Sequence, residues 1–239
     1  MRISTLEQLL NTLDGLFGDG SDWTKRDEQD HWAGLFSRPD HPLTSDLPDA
    51  NLVDWRARGL LSGGEGKTAL DIGCGLGRNT RYFARQGYRA TGIDLSPYAV
   101  KEARERSGES GATFTECDVL RDPIPGGPYD VVYDSGCFHH LPPHRRLSYL
   151  NTLGAALKPG GLFGICTFAP GQMGTEADDL TLFRQGRLEG GIAYSLDDLR
   201  EVFSGLEYLD GGPLRPPEPA PEAVFSMDFL HAALFRRPE

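Results

Sequence analysis

The chain has 239 residues, with 24 Lys and Arg against 35 Asp and Glu, for a net charge of −11. That balance argues against nucleic acid as a partner, because phosphate neutralisation supplies most of the affinity of such binders. No run approaches the ~18 apolar residues of a membrane span, and the N-terminus MRISTLEQLL lacks a basic start and a long apolar stretch, so a soluble cytoplasmic protein with no membrane partner is expected.

Taken in chain order, Leu6, Leu9, Leu10, Leu13, Leu16 and Phe17 mark one apolar face of a helix within residues 1–20. Residues 21–62 are aromatic, proline-bearing and charged, and read as short helices and loops, with a helix over 51–61. From there the pattern alternates. Strands are predicted over 67–73, 88–94, 112–117, 129–134 and 162–168, and helices over 79–85, 97–106 and 143–157. Strands and helices at this spacing predict an α/β fold with a mostly parallel sheet covered on both faces. Beyond Ala169, residues 170–191 read as part of a lid. Ser195 and Asp198 start a helix with capping-box chemistry, and strand-like runs follow over 206–210 and 224–235. The four cysteines, Cys74, Cys117, Cys137 and Cys166, form no CxxC pair, which argues against a zinc knuckle or a disulfide framework.

Two glycine-rich loops lie close together in GGEGKTALDIGCGLGRNT, residues 63–80. The first, ending Gly66-Lys67-Thr68, fails as a phosphate loop: Leu61 stands where that motif needs its first glycine, and a strand follows instead of a helix. The second follows an apolar strand and opens a helix, the place where an open α/β sheet binds its ligand. Gly73 and Gly75 let the backbone turn and approach a ligand, and Asp94 ends the second strand 19 residues after Gly75, where a carboxylate accepts ribose hydroxyls. The register does not match the G-x-G-x-x-G of nicotinamide-binding loops. Asp71 sets a negative charge near the helix start, which repels a pyrophosphate and suits a ligand bearing an amino group and a sulfonium.

ALDIGCGLGRNT and GYRATGIDLSPYAV, followed in order by ECDVL, YDVVYDSGCFHHL and LKPGGLFGICTF, resemble the motifs of class I S-adenosylmethionine-dependent methyltransferases. The resemblance covers roughly residues 65 to 170. The Trp-bearing N-terminal region, GRNTRYFARQGY and SGCFHHLPPHRR are most similar to small bacterial small-molecule methyltransferases, including relatives of the thiopurine, thiol, halide and tellurite-resistance enzymes. The resemblance implies a Rossmann-like seven-stranded, mostly parallel sheet with helices on both faces and an N-terminal helical cap. Residues 1–62 would form the cap and substrate lid, 63–239 the S-adenosylmethionine-binding domain, and 169–194 a substrate-side insert.

It also implies roles. Asp71, Gly73, Cys74 and Gly75 would face the methionine part of the cofactor, with Arg78 and Asn79 in reach of its carboxylate. Asp94 would hold the ribose, with Leu95 beside the adenine. Asp118 would accept the adenine amino group, with the Val119 N–H nearby. Asp134 and Ser135 would border the methyl group. His139 and His140 are candidates for a base or a substrate contact, since imidazole titrates near neutrality. Trp23, His31, Trp32, Phe36, His144, Met173, Phe183, Arg184 and Tyr194 are substrate-side candidates. No metal is expected, because no carboxylate-plus-His helix motif accompanies the histidines. The expected partner is a small-molecule acceptor of N, O or S type. A nicotinamide-dependent oxidoreductase and a non-catalytic S-adenosylmethionine sensor are the alternatives. Oligomeric state is not readable.

Overall fold

The computed structural model describes residues 2–18, 22–25, 29–217 and 222–239. Seven strands form one sheet: β1 (Thr68–Ile72), β2 (Arg89–Asp94), β3 (Thr113–Glu116), β4 (Tyr129–Ser135), β5 (Leu157–Phe168), β6 (Glu207–Pro213) and β7 (Leu230–Arg236). Their order is β3-β2-β1-β4-β5-β7-β6, with β7 antiparallel to both neighbours and the other pairs parallel. The expected seven-stranded, mostly parallel Rossmann-like sheet is therefore present. Leu70 and Ile72 of β1 and Val132 and Tyr133 of β4 are fully buried, as strands sandwiched between two helical layers must be.

Helices α1 (Leu6–Asp14), α2 (Gln29–Phe36) and α3 (Ala50–Ala57) precede the sheet. α4 (Arg78–Arg85) and α5 (Pro97–Ser107) are crossovers, and α6 (Arg146–Ala156) leads into β5. α7 (Asp179–Gln185) and α8 (Leu196–Val202) follow it. One apolar layer joins Ile72, Val132, Phe163, Leu199, Phe203 and Phe235; the other joins Trp55, Tyr82, Phe83, Tyr133 and Leu234. Among the described residues no helix is long and apolar enough to cross a membrane.

The differences from the sequence reading have local causes. Lys158 to Gly161, read as a loop after the helix, are absorbed into β5 as an irregularity: Tyr129 pairs with Leu157, but Val131 pairs with Leu162. The run read as a strand over 224–235 is extended only from Leu230; its earlier part is a turn at the site. Segment 170–191, read as part of a lid, contains α7 and is flanked by the bridges Phe168↔Ala193 and Thr175↔Ile192. The capping box at Ser195 and Asp198 is formed, each side chain meeting the other's backbone N–H.

The N-terminal segment is held by two carboxylates. α1 buries Leu10 and the turn after it buries Phe17, but Leu6, Leu9 and Leu16 are exposed, so the expected apolar face is not buried as a stripe. Asp14, at its end, instead accepts from His144 Nε2 at 2.7 Å, from Arg145 Nε at 2.9 Å and Nη2 at 2.6 Å, and from Arg121 Nη2 at 3.2 Å. Burial alone would raise the Asp14 pKa, but the hydrogen bonds from His144 and Arg145 hold it well below the usual carboxylate range.

The second carboxylate, Asp49, is fully buried just before α3. Its Oδ1 accepts from Arg78 Nε at 3.0 Å and Nη2 at 2.8 Å. Its Oδ2 accepts from Asn79 Nδ2 at 3.0 Å, Tyr133 OH at 2.7 Å and Ser135 Oγ at 2.5 Å. The flanking backbone pairs with Phe225: Ala50 N–H donates to its carbonyl at 2.9 Å, and Phe225 N–H donates to Pro48 at 2.7 Å. The Arg78 guanidinium lies 4.1 Å from the Phe225 ring centroid. Removing one member of a buried ion pair strands the other. Asp49→Ala is expected to lower the unfolding free energy by about 3–5 kcal/mol in urea titrations. A loss under about 1 kcal/mol would contradict this account of how α3, α4 and β4 are held together.

Candidate functional site

A cavity of ≈ 550 Å³ opens at the carboxyl ends of β1, β2 and β4. This is where the strand order reverses, with β2 to one side of β1 and β4 to the other. Its floor is the turn between β1 and α4. Gly73 and Gly75 have φ of +62° and +52°. A Cβ on Gly73 would lie 2.7 Å from the Cβ of Cys137, and one on Gly75 would lie 3.0 Å from the Phe36 ring. Glycine is required at Gly73 by conformation and by space together.

Carboxylates line one half of the cavity. Asp71 accepts from Thr80 Oγ1 at 2.6 Å. Burial, aided by the nearby Asp49 and Asp134 carboxylates, pushes its pKa up to about 7. Asp94 accepts the Gly75 N–H and the Ser96 N–H, each at 2.8 Å, and burial raises its pKa too. Asp118 accepts the Leu120 N–H at 3.0 Å and pairs with Arg121 Nη1 at 3.1 Å. Leu95 and Val119 complete this side. Such a half favours a ligand that brings positive charge and hydroxyl or amino donors.

The other half is aromatic and apolar. Trp23, Trp32, Phe36, Phe168, Met173, Met227 and Phe229 line it. Trp32 Nε1 donates to the Trp23 carbonyl at 2.8 Å, which fixes the two indoles edge to face.

His139 and His140 stand between the halves, on the 3₁₀ turn Phe138–His140 after β4. His139 stacks on Phe168 with centroids 3.7 Å apart. The two Nε2 atoms are 3.1 Å apart, and His140 Nδ1 is 2.8 Å from the Gly190 carbonyl. A carbonyl only accepts, so His140 Nδ1 carries a proton and its Nε2 accepts from His139 Nε2–H. Burial pushes the His140 pKa down to about 4 and that of His139 well below the usual imidazole range, so both rings are neutral at pH 7.

The cavity wall thus gathers Asp71, Gly73, Cys74, Gly75, Arg78, Asn79, Asp94, Leu95, Asp118, Val119, Ser135, His139 and His140, together with Trp23, Trp32, Phe36 and Met173. Six expected residues lie elsewhere. Asp134 turns away from the cavity and accepts the Cys137 and Phe138 N–H groups at 2.8 and 3.1 Å and the Tyr149 hydroxyl at 2.7 Å. It builds the turn that carries the histidines. His144 and Phe183 pack with Phe17 under α1. Arg184, on α7, lies off the cavity wall. Tyr194 is buried against Phe138 and under the Arg146 guanidinium. His31 stacks on Trp23 with centroids 3.9 Å apart. Arg78 and Asn79 line the cavity, but Asp49 already engages both. Asp49, Gly136, Phe168, Phe225 and Met227 went unrecognised as site-building residues. Only Gly136, after β4, carried a local signal.

The Asp71 carboxyl yields a pH prediction. Its pKa is raised on folding, so its contribution to stability is present below about 3.8 and is lost as pH rises through about 7. Asp71→Asn keeps an acceptor for Thr80 and removes that loss. The melting temperature of the variant over wild type should grow from pH 4 to 7 and level off above, while its affinity for a cationic ligand falls. An advantage independent of pH in thermal scans would contradict the assignment.

A family model described as a methyltransferase domain matches residues 69–161, from β1 to the start of β5. A probable tocopherol O-methyltransferase of Oryza sativa is 29% identical over 129 residues, which are 50% of this chain and 35% of that protein. The chain thus spans about a third of the length of this curated relative. A 2-heptyl-1-hydroxyquinolin-4(1H)-one methyltransferase of Mycobacteroides abscessus is 27% identical over 189 residues, 76% of this chain and 81% of that one. In fold, the 1,6-didemethyltoxoflavin-N1-methyltransferase of Burkholderia thailandensis superposes with a TM-score of 0.59 over 100% of this chain and 93% of its own, at 22% identity. These matches remove the nicotinamide oxidoreductase reading. The glycine turn, the carboxylate-lined half-cavity and this match from β1 to β5 identify residues 69–161 as a methyltransferase domain of the class I S-adenosylmethionine-dependent kind.

Proposed function

We propose that the chain transfers the methyl group of S-adenosylmethionine to a flat, largely apolar small molecule. The observation that carries this reading is the division of one cavity into a carboxylate-lined half and an aromatic half. When bound, the cofactor supplies a methyl group already activated by its sulfonium. Asp71 would face its positively charged end, and a neighbouring cation would favour the ionised carboxylate over the neutral form. Asp94, oriented by two backbone N–H groups, keeps free lone pairs for the ribose hydroxyls. Asp118 and the Val119 backbone would take the adenine. The aromatic walls exclude water and hold a ring system, so that alignment supplies much of the rate. The name of the relative from M. abscessus, a methyltransferase of a 2-heptyl-1-hydroxyquinolin-4(1H)-one, supports an acceptor of that shape.

Calorimetry tests the reading. S-adenosylhomocysteine should bind the wild type, and Asp94→Asn should weaken it at least about tenfold, the loss expected for charge-assisted hydrogen bonds to two hydroxyls. Reduced nicotinamide dinucleotide should not bind. Equal affinity in wild type and variant would remove the ribose assignment, and no binding by the wild type would remove the function.

A further inference from the structure

The turn from Leu188 to Gly191 forms part of the cavity wall. The Gly191 N–H donates to the Leu188 carbonyl at 2.9 Å. The two central residues, Glu189 and Gly190, have φ of +49° and +88°. Positive φ at both positions marks a type I′ turn, which favours Asn-Gly, Asp-Gly or Gly-Gly. Gly190 fits that preference and Glu189 does not. Among the described residues Glu189 is the one non-glycine with positive φ. The left-handed conformation brings a Cβ close to the following carbonyl oxygen, a cost that glycine escapes and asparagine offsets with its short polar side chain. Residues held in this way gather at functional sites.

The turn is fixed in place from several sides. Leu188 is buried. The Gly190 carbonyl accepts from His140 Nδ1 at 2.8 Å, and the Gly191 carbonyl accepts the Thr175 N–H at 2.9 Å. The next residue, Ile192, donates its N–H to the His139 carbonyl at 2.7 Å. A Cβ built on Gly190 would stand 3.4 Å from Cη2 of Trp23, so the turn lies against the aromatic half. Glu189 lines the cavity there and is exposed to solvent. The wall carboxylates Asp71, Asp94 and Asp118 belong instead to the cofactor half.

We propose that Glu189 is a specificity-determining residue for the acceptor: its carboxylate receives an N–H, neutral or protonated, on the edge of a flat acceptor that faces the cavity mouth. The inference rests on the methyl-transfer reading above and concerns the acceptor alone. The ring system of such an acceptor lies among Trp23, Trp32 and Phe168, and its nitrogen-bearing edge meets the carboxylate of the neighbouring turn. The indole beside that turn adds a cation–π attraction when the nitrogen is charged. The acidic wall and the net charge of −11 work in the same direction. A charge-assisted N–H···O bond is directional, so it also decides which edge of the acceptor is turned outward and which is presented to the cofactor half. The bonds from the histidine-bearing turn after β4 to Gly190 and Ile192 set where that carboxylate stands.

Binding measured with the demethylated cofactor in place tests this without turnover. The probes are 4-aminoquinoline, which is protonated at neutral pH and carries N–H donors, and 4-methylquinoline, which is neutral and nearly the same shape. Each is titrated against protein saturated with S-adenosylhomocysteine, with tryptophan fluorescence as the readout. The wild type should favour 4-aminoquinoline by about tenfold or more, the range of a charge-assisted hydrogen bond. Glu189→Gln should weaken 4-aminoquinoline about fivefold or more and change 4-methylquinoline by less than about twofold. Glu189→Asn, whose side chain suits positive φ, should lose the same preference while melting no lower than wild type. S-adenosylhomocysteine should bind all three proteins alike. A preference that survives in either variant, or that the wild type lacks, overturns the proposal. So does a parallel loss of both quinolines with a lower melting temperature in Glu189→Asn, which would make Glu189 a structural residue of its turn. Failure of the wild type to bind S-adenosylhomocysteine would instead count against the methyltransferase reading itself.

Discussion

The buried carboxylate of Asp49 is the interaction on which the architecture turns. An ionised group with no exposure to water is tolerated only when donors replace its hydration. Asp49 has donors from α4, from β4 and from the end of β4, and its backbone joins the segment around Phe225. The sequence just before α3 is thereby fixed to the strand edge that borders the cavity. α3 itself sits in the core, with Leu52, Val53 and Trp55 buried beneath the sheet. The N-terminal region is therefore an integral part of the fold at α3.

The cavity exploits a tension between burial and charge. Asp71 and Asp94 are enclosed, and desolvation disfavours their ionised forms. In a protein already at −11 this is a poor arrangement for stability alone. It becomes a good one when a cation arrives, because binding relieves the cost that folding incurred. The aromatic half is complementary: its rings shield the charged half from water.

Much of this was legible in the residues. The glycine turn, the strand-ending Asp94 and the strand and helix alternation follow from local chemistry, and the structure has β1 to β4, α4 and α5 within a residue or two of expectation, whereas β5, α6 and β7 begin five residues earlier, three later and six later than read. Misplaced residues share a physical reason. Asp134 and His144 are polar groups near the right strand, yet their partners, Tyr149 and Asp14, come from distant parts of the chain. Sequence reveals a carboxylate but not which way it turns. Asp49 was missed for the same cause: no motif surrounds it, and its meaning comes from Arg78 and Tyr133, 29 and 84 residues away. The contribution of Phe225 and Met227 to the cavity was hidden because their run alternates like a strand, and only pairing with β5 decides where a strand begins.

Arg121 shows what long-range pairing adds. Its guanidinium is shared, one nitrogen on Asp118 in the cavity wall and the other on Asp14 at the end of α1. A single planar cation cannot follow two anchors in different directions. Drawing the first helix away from the body of the protein would withdraw a donor from the carboxylate at the far end of the pocket, so the opening turns of the polypeptide and the deepest corner of its pocket are mechanically one unit.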